Sequence, residues 1–162
     1  MSRYMVDASA IIQLDLIGEL PLLKRLLGRI CVTREVVEEC RSPGREVKAL
    51  GDPVEDWIQV LPSQSRRQEF ARLDRGEESL LASARPDDVL VLDDLEARRV
   101  AQARGLTYTG LLGILVAGVA ERKLPAERAI ELLDKIAATE FRISPSLYAR
   151  VRSKLEKMRR QD

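Results

Sequence analysis

Carboxylates occur at four places in the chain where an apolar run ends or a helical pattern begins. These acidic stations are Asp7 after YMV, the pairs Glu38–Glu39 and Glu77–Glu78, and the pair Asp93–Asp94 after VLVL. Carboxylates that come together repel one another, and some take up protons unless a cation neutralises them. If the stations converge in the fold, we expect a divalent metal ion to hold them together.

The chemistry open to such a site is narrowed by the absence of histidine from all 162 residues. Histidine-based triads, histidine general bases and histidine-liganded zinc are excluded. Mg²⁺ and Mn²⁺ prefer oxygen ligands and keep several waters. A bound divalent ion can lower the pKa of a water molecule and stabilise charge on a phosphate group. A carboxylate-only site with Mg²⁺ or Mn²⁺ therefore suits the hydrolysis of phosphodiesters.

Each acid also has a purely structural interpretation. Asp7 can cap the helix that follows it. Asp93 with Glu96, and likewise Asp74 with Glu77, has the spacing of a capping box. A single acidic residue is more often a cap or a solvated surface charge than a metal ligand. Only the four stations taken together favour a site, and their spacing alone leaves both interpretations open.

Short apolar runs alternate with helical patterns along the chain. Strands are predicted at 4–6, 29–32, 57–61, 89–92 and 106–109, and helices at 20–27, 33–40, 69–84, 93–104, 110–122, 126–138 and 144–158. This alternation predicts an α/β fold with three layers, α/β/α, around a mostly parallel central sheet. Ligands of such sheets gather at the carboxyl ends of the strands, where the stations would meet. The length predicts one domain over residues 1–162.

Composition gives no global signal for a polyanionic partner. The chain has 27 basic and 26 acidic residues, a formal net charge of +1, and only 4% aromatic residues. Binding to nucleic acid must therefore rely on local basic patches. Cys31 and Cys40 form no CxxC pair, and the apolar stretch 111–120 is too short to span a bilayer. We expect a cytoplasmic protein with no membrane contact.

Five motifs follow one another along the chain: VDASAII, VTREVVEEC, LDRGEESLLASA, VLVLDDLEARRVAQARGL and TGLLGIL. Their order resembles the PIN-domain family, and most of all its short prokaryotic members related to the VapC toxins. The resemblance runs from about Arg3 to Lys157. It implies a PIN-like domain with an acidic pocket that holds Mg²⁺ or Mn²⁺. It also implies ribonuclease activity on RNA, an antitoxin protein as partner, and a homodimer.

The resemblance assigns the acids residue by residue. Asp7 matches the first acid, Ser9 the small hydroxyl residue beside it, Glu39 the second acid, Glu77 the third, and Asp93 or Asp94 the fourth. We therefore expect Asp7, Glu39, Glu77, Asp93 and Asp94 to be both catalytic residues and metal ligands. Many VapC-like chains have Thr or Ser shortly before the last aspartate, whereas this chain has Leu92. The choices between Asp93 and Asp94, and between Glu77 and Glu78, stay open.

Basic residues near the stations are the candidates for phosphate contacts. Arg75 and Arg98 flank the third and fourth stations, and either can instead pair with the acids in a structural role. Further candidates are Arg66, Arg67, Arg72 and Arg99, and a C-terminal group made of Arg150, Arg152, Lys154, Lys157, Arg159 and Arg160. For the C-terminal group, an ordinary solvated helix face is the favoured interpretation.

Two functions are consistent with these patterns. The first is a metal-dependent endoribonuclease of the toxin type, and the second is a catalytically inactive PIN-like module that binds RNA or a protein. A phosphatase of the haloacid-dehalogenase kind needs a second Asp at position 9, where this chain has Ser9. Apolar helices at 19–27 and 33–40 are predicted to leave a face for the second copy of the homodimer.

Overall fold

The computed structural model describes residues 2–62, 64 and 72–161. Within these ranges there are five strands: β1 (Tyr4–Val6), β2 (Ile30–Thr33), β3 (Ile58–Leu61), β4 (Val89–Val91) and β5 (Thr107–Thr109). They form one sheet in the order β3-β2-β1-β4-β5, with every pairing parallel. The predicted parallel sheet is confirmed. Arg66, Arg67 and the first residues of the helix predicted at 69–84 lie outside the described ranges.

Helices connect successive strands and give the predicted three-layer α/β/α fold. In the described residues they are α1 (Ala8–Leu16), α2 (Pro21–Leu27), α3 (Arg34–Cys40), α4 (Arg75–Ser83), α5 (Leu95–Ala103), α6 (Leu111–Ala120), α7 (Ala126–Ala137) and α8 (Pro145–Arg159), with a short 3₁₀ helix at Lys48–Leu50. Helices α6, α7 and α8 pack on one another, while α3 packs on both α1 and α4. None of the helices in these ranges is long and apolar enough to cross a membrane.

The sheet reverses its direction of growth at β1. The chain adds β2 and β3 on one side of β1, and then β4 and β5 on the other side. Val6 pairs with Val91, and the Asp7 amide donates a hydrogen bond to the Val91 carbonyl at 3.2 Å. The carboxyl ends of β1 and β4 therefore lie side by side at a topological switch point, which is where open α/β sheets bind ligands.

Helix starts follow the capping chemistry of the sequence in most places. Thr33 caps α3 by accepting from the Val36 amide, and Ser144 caps α8 by accepting from the Leu147 amide. Helix α4 begins only at Arg75 because Asp74 caps it. The Asp74–Glu77 capping box is thus confirmed.

The prediction that Asp93 and Glu96 form a capping box is wrong. Helix α5 begins at Leu95 instead of Asp93, because the side chain of Asp94 accepts the hydrogen bond from the Ala97 amide. The cap therefore lies one residue later than the D-x-x-E spacing indicated. This shift leaves Asp93 free for a different role at the edge of the sheet.

The apolar residues of α2 and α3 do not form an exposed face. Leu22, Leu23 and Leu26 of α2 are buried, and so are Val36 and Val37 of α3, because both helices turn these residues into the core. The large apolar residues that are exposed in the described chain lie elsewhere, at Leu16, Val60 and Leu95. The homodimer stays a prediction, and these two helices supply no apolar surface for it.

An ion pair joins the amino-terminal ends of β1 and β4. Arg3 donates to both carboxylate oxygens of Asp88, at 2.9 Å and 2.5 Å, and the Arg85 amide donates to Asp88 Oδ2 at 2.7 Å. The Asp88 side chain is only 3% exposed. The hydrogen bond from Arg3 is the main reason that the pKa of Asp88 lies below its ordinary value. The pair fixes the register of β1 against β4 at the end of the sheet opposite Asp7.

We predict that Asp88→Asn lowers the free energy of unfolding at neutral pH by about 2 kcal/mol, because Arg3 loses its charged partner. An acid with a lowered pKa stabilises the fold above its ordinary pKa, and this stabilisation is lost as pH falls through the folded-state pKa. Urea unfolding at neutral and strongly acidic pH should therefore show a difference that shrinks in acid. Asp87→Asn, at an exposed neighbouring position, is the control. An equal loss at both pH values would contradict the ion-pair explanation.

Candidate metal centre

Three carboxylates from distant segments meet at the switch point. Asp7 follows β1, Glu39 lies in the last turn of α3, and Asp74 precedes α4. Each of them contributes one oxygen to a group whose atoms all lie within 4.8 Å of one another. Oxygen ligands at such spacing suit a hard divalent cation. The fold therefore brings together two of the sequence-predicted acids, Asp7 and Glu39, with a third that the sequence analysis took only for a cap.

Asp7 is the buried member of the group, with 3% of its surface exposed. Its backbone is extended at the position preceding α1, but its side chain makes no capping bond, so the interpretation of Asp7 as a helix cap is wrong. Ser9 Oγ donates to Asp7 Oδ2 at 3.3 Å. Asp7 Oδ1 is buried and has no hydrogen-bond partner in the described ranges. A buried polar atom without a partner is unfavourable, and a bound cation would supply the missing partner.

Asp74 and Glu77 form a reciprocal capping box at the start of α4. Asp74 Oδ1 accepts from the Glu77 amide at 2.7 Å, and Glu77 Oε2 accepts from the Asp74 amide at 3.1 Å. The Glu77 side chain is therefore turned back toward the backbone and is not one of the three grouped carboxylates. A carboxylate has more lone pairs than one capping bond uses, so Asp74 can cap the helix and still face a cation.

Gly76 allows α3 and α4 to bring their acids together. A Cβ atom at this position would lie 3.0 Å from Glu39 Oε2 and 3.4 Å from Asp74 Oδ1. The helical backbone at Gly76 does not itself require glycine. Glycine is needed because a side chain would have little room beside the two carboxylates. The absence of a side chain lets the Glu39 carboxylate approach the start of α4.

Crowding and burial shift the acids toward their protonated forms. Burial raises the pKa of Asp7 well above its ordinary value, and the charges of Asp74 and Glu77 raise it further. Burial also raises the pKa of Glu39. The charge of Asp74 raises this pKa further, and the charge of Arg45 lowers it. Both shifts have the direction expected of carboxylates that share a site without a cation.

Glu77 lies within electrostatic reach of the group although it is not part of it. Burial raises the pKa of Glu77 to about 7, and the charges of Asp74, Asp94 and Glu39 add to the shift. Asp94 is exposed, and its side chain caps α5 through the Ala97 amide at 2.9 Å. Glu77 therefore lies beside the three grouped carboxylates without joining them, and Asp94 acts on Glu77.

Asp93 faces α6 instead of the acidic group. Its Oδ1 accepts from the Leu111 amide at 3.1 Å, and Arg98 Nη2 lies 3.4 Å from the same oxygen. A Cβ atom on Gly110 would lie 2.7 Å from Asp93 Oδ1, so glycine is needed for this packing. Burial raises the pKa of Asp93, and the Leu111 amide opposes the shift. Asp93 thus fixes the start of α6, whereas Asp94 is the one whose charge acts on Glu77.

The remaining predicted residues have varied surroundings. Arg98 takes the structural alternative, because its Nε donates to the Leu92 carbonyl at 2.7 Å while its Nη2 contacts Asp93. Arg75 is the exposed first residue of α4. Glu38 is exposed and Glu78 is buried, and neither belongs to the three-carboxylate group.

The sequence analysis missed Asp74 as a candidate ligand. The signal was present in LDRGEE, where Asp74 stands three residues before Glu77 and next to the segment already chosen as the third station. The capping-box spacing gave Asp74 a sufficient structural explanation, and the metal role was therefore not considered. The contact with Asp7 depends on the packing of α4 against α3 and is not visible in the spacing.

A comparison with protein families matches the chain to one family model. The family model of the PIN domain matches residues 3–157, which is nearly the whole chain. Searches of curated proteins and of solved structures gave no significant match.

We predict that Asp7→Asn stabilises the metal-free protein at neutral pH by about 1–3 kcal/mol, because it removes a buried charge. An acid with a raised pKa destabilises the fold as pH rises from its ordinary pKa toward the folded-state value, so the gain should vanish at acidic pH. Thermal unfolding with EDTA and then with Mn²⁺ checks both halves of the prediction. Mn²⁺ should raise the Tm of the unchanged chain and leave that of the variant unmoved. A variant that still responds to Mn²⁺ would contradict a role for Asp7 as ligand.

We predict that Asp74→Asn weakens Mn²⁺ binding roughly tenfold or more while α4 stays capped, because Asn is as good an N-cap as Asp. Titration calorimetry measures the affinity, and circular dichroism checks the fold. Asp94→Asn is the matched control, since it changes the N-cap of α5 in the same way at a residue outside the group. Equal losses in the two variants would show that Asp74 has no special place in the site.

Proposed function

Since the chain belongs to the PIN-domain family, we propose that it is a metal-dependent endoribonuclease of the VapC toxin type that hydrolyses RNA phosphodiesters. The family contains metal-dependent nucleases, and the acidic group at the switch point could bind a metal ion. RNA as substrate, Mg²⁺ or Mn²⁺ as the ion, and the toxin role are the specific parts of the proposal.

The main support for the proposal is one carboxylate oxygen of Asp7, which is buried and has no hydrogen-bond donor in the described ranges. Its Oδ1 is buried beside Glu39 and Asp74, and no donor reaches it in the described chain. A structural carboxylate at this depth would be expected to accept hydrogen bonds from the backbone or from a basic side chain. Asp88 accepts from Arg3 and from the Arg85 amide at the other end of the sheet, whereas Asp7 Oδ1 has no hydrogen-bond partner among the described residues. The contrast favours a functional role for Asp7.

Asp7, Glu39 and Asp74 would hold the metal ion. The ion would lower the pKa of a water molecule and stabilise charge on the phosphate. Ser9 orients Asp7 through the bond to its Oδ2, and Gly76 leaves room for Glu39.

Glu77 and Asp94 are assigned to the surroundings of the ion. Glu77 holds the backbone of Asp74 through the capping box, and its carboxyl group has a pKa near 7 without a cation present. A group with that pKa can exchange a proton at neutral pH. Asp94 adds negative charge next to Glu77. Asp93 is assigned a structural role only, because its carboxylate accepts a hydrogen bond from the Leu111 amide and pairs with Arg98.

The second candidate function is an inactive PIN-like module that binds RNA or a protein. It is favoured by the structural use of the Asp93–Asp94 pair, which supplies a helix cap and an anchor for α6 instead of a ligand. A protein whose fourth acidic station serves only the structure would keep the fold and lose the nuclease activity. The toxin assignment, by contrast, brings with it an antitoxin partner, a homodimer and a cytoplasmic location, all of which remain predictions.

We predict that the purified protein cleaves single-stranded RNA in the presence of Mn²⁺ or Mg²⁺, and that Asp7→Asn lowers the rate roughly a hundredfold or more. Fluorescent RNA resolved on denaturing gels measures the cleavage, with EDTA as the metal-free control. Asp87→Asn, which changes an exposed aspartate, should cleave like the unchanged chain. Full cleavage by Asp7→Asn would refute the proposed site. Metal-independent RNA binding without cleavage in the unchanged chain would favour the inactive module.

A further inference from the structure

A groove of about 650 Å³ lies between α6 and α8. Its apolar surface includes Val116 and Ala120 from α6, Leu147 and Val151 from α8, and Phe141 from the segment before α8. Positions 112, 116 and 120 repeat every four residues, so this face of α6 extends for about 12 Å. A cavity of this size is comparable to sites that bind drug-sized ligands. Neither the carboxylate group nor the sequence analysis accounts for it.

Cationic side chains surround this apolar surface. Arg98, Arg142, Arg150 and Lys154 all line the groove, whereas Asp93 is the acid that lines it. Arg142, Arg150 and Lys154 are exposed, and across the part of the chain that the structure describes none of them has an acidic partner. The overall charge of +1 hides this local excess of positive charge. Such an excess is the electrostatic pattern expected of a surface that binds a polyanion.

Two of the other cations on α8 are paired with acids within the fold, whereas in the described ranges Arg150 and Lys154, which line the groove, are not. Arg152 pairs with Asp134 of α7, and Arg159 pairs with Glu156 one turn earlier. Arg150 and Lys154 lie on a different face of the same helix and turn toward α6. The C-terminal basic residues, which the sequence shows only as one group, are thus divided by the fold into paired and unpaired sets.

The groove adjoins the acidic edge of the sheet. Asp93 lines the groove, and the next residue, Asp94, caps α5 at the carboxyl edge of the sheet, which is the edge where the three carboxylates meet. A phosphate that approaches a group of carboxylates is repelled by them, so a strand of RNA needs cationic contacts nearby to be held there. Unpaired cations at this position would supply that attraction without neutralising the carboxylates.

We propose that this groove binds the single-stranded RNA flanking the phosphate that is cleaved. The inference rests on the proposed ribonuclease function and adds the surface that holds its substrate. Arg142, Arg150 and Lys154 contact phosphates, and unstacked bases cover the apolar surface with Phe141 as a stacking partner. A duplex keeps its bases paired and stacked, and would leave this apolar surface without a partner.

An acidic amphipathic segment of a protein is the alternative occupant of a cationic groove with an apolar floor. The position beside the carboxylate group favours RNA, because the substrate of that site is itself the polyanion. Binding of an acidic protein segment in the groove in place of RNA would therefore contradict the proposal.

The test is RNA binding by the double variant Arg150→Gln with Lys154→Gln, measured by fluorescence anisotropy. The probe is a labelled single-stranded RNA of mixed sequence and about twelve nucleotides. EDTA is present throughout, so that binding is separated from cleavage. Losing two phosphate contacts should weaken binding roughly tenfold at low salt. It should also reduce the slope of log Kd against log salt concentration by about 1.4.

The matched control is Lys157→Gln with Arg160→Gln, which removes the same charge from the same helix away from the groove. It should bind RNA nearly as tightly as the unchanged chain. Thermal unfolding of both double variants checks that α8 remains packed on α6 and α7. Equal weakening in both, or unchanged binding in the groove variant, would overturn the proposal, and the second result would point to an acidic protein as occupant. Cleavage by Asp7→Asn is a separate readout, so a failure of the nuclease assignment is distinguishable from a failure of the groove.

Discussion

The repulsion between three converging carboxylates, of which Asp7 is buried, is the constraint on which the architecture of the site depends. Asp7 is fixed at the end of β1 by the pairing of that strand with β2 and β4, so it cannot move away from its neighbours. Glu39 and Asp74 arrive from two helices that pack on each other, and all three meet within 4.8 Å. The apolar core must offset the unfavourable energy of this arrangement in the absence of a cation.

Helix N-termini reduce part of that repulsion. Asp7, Asp74 and Asp94 each occupy the position just before a helix, at the starts of α1, α4 and α5. The unpaired amides and the dipole at a helix N-terminus favour nearby negative charge. In a parallel α/β sheet, the helix that follows a strand begins at the carboxyl edge, which is the edge where ligands bind. The same topology therefore places helix caps and candidate ligands at the same edge of the sheet, and Asp74 is both.

This coincidence explains how far the sequence could predict the structure. Alternating apolar runs and capping residues were enough for the parallel sheet and most helix bounds, because those patterns are local. The meeting of Asp7 with Glu39 was expected because β1 ends, and the helix after β2 begins, at the same edge of the sheet, and the family resemblance singled out Glu39. The division of roles between Asp93 and Asp94 did not, because one residue of shift along an extended backbone turns a side chain to the other side. Asp74 was missed because its capping role already explained it.

The sequence also could not predict that acidic and basic side chains are separated in space. The acids gather at the switch point, and the unpaired cations of the described chain line the groove between α6 and α8. Arg98 could have neutralised the acidic group, but its bonds to Asp93 and to the Leu92 carbonyl hold it on the side of α6. The Asp93–Asp94 dipeptide therefore separates negative potential at the switch point from positive potential in the groove. Arg98 of α5 is far in sequence from Arg142 and Lys154, yet all three line the same groove. A net charge near zero is then compatible with binding a polyanion, because the charges are sorted in space.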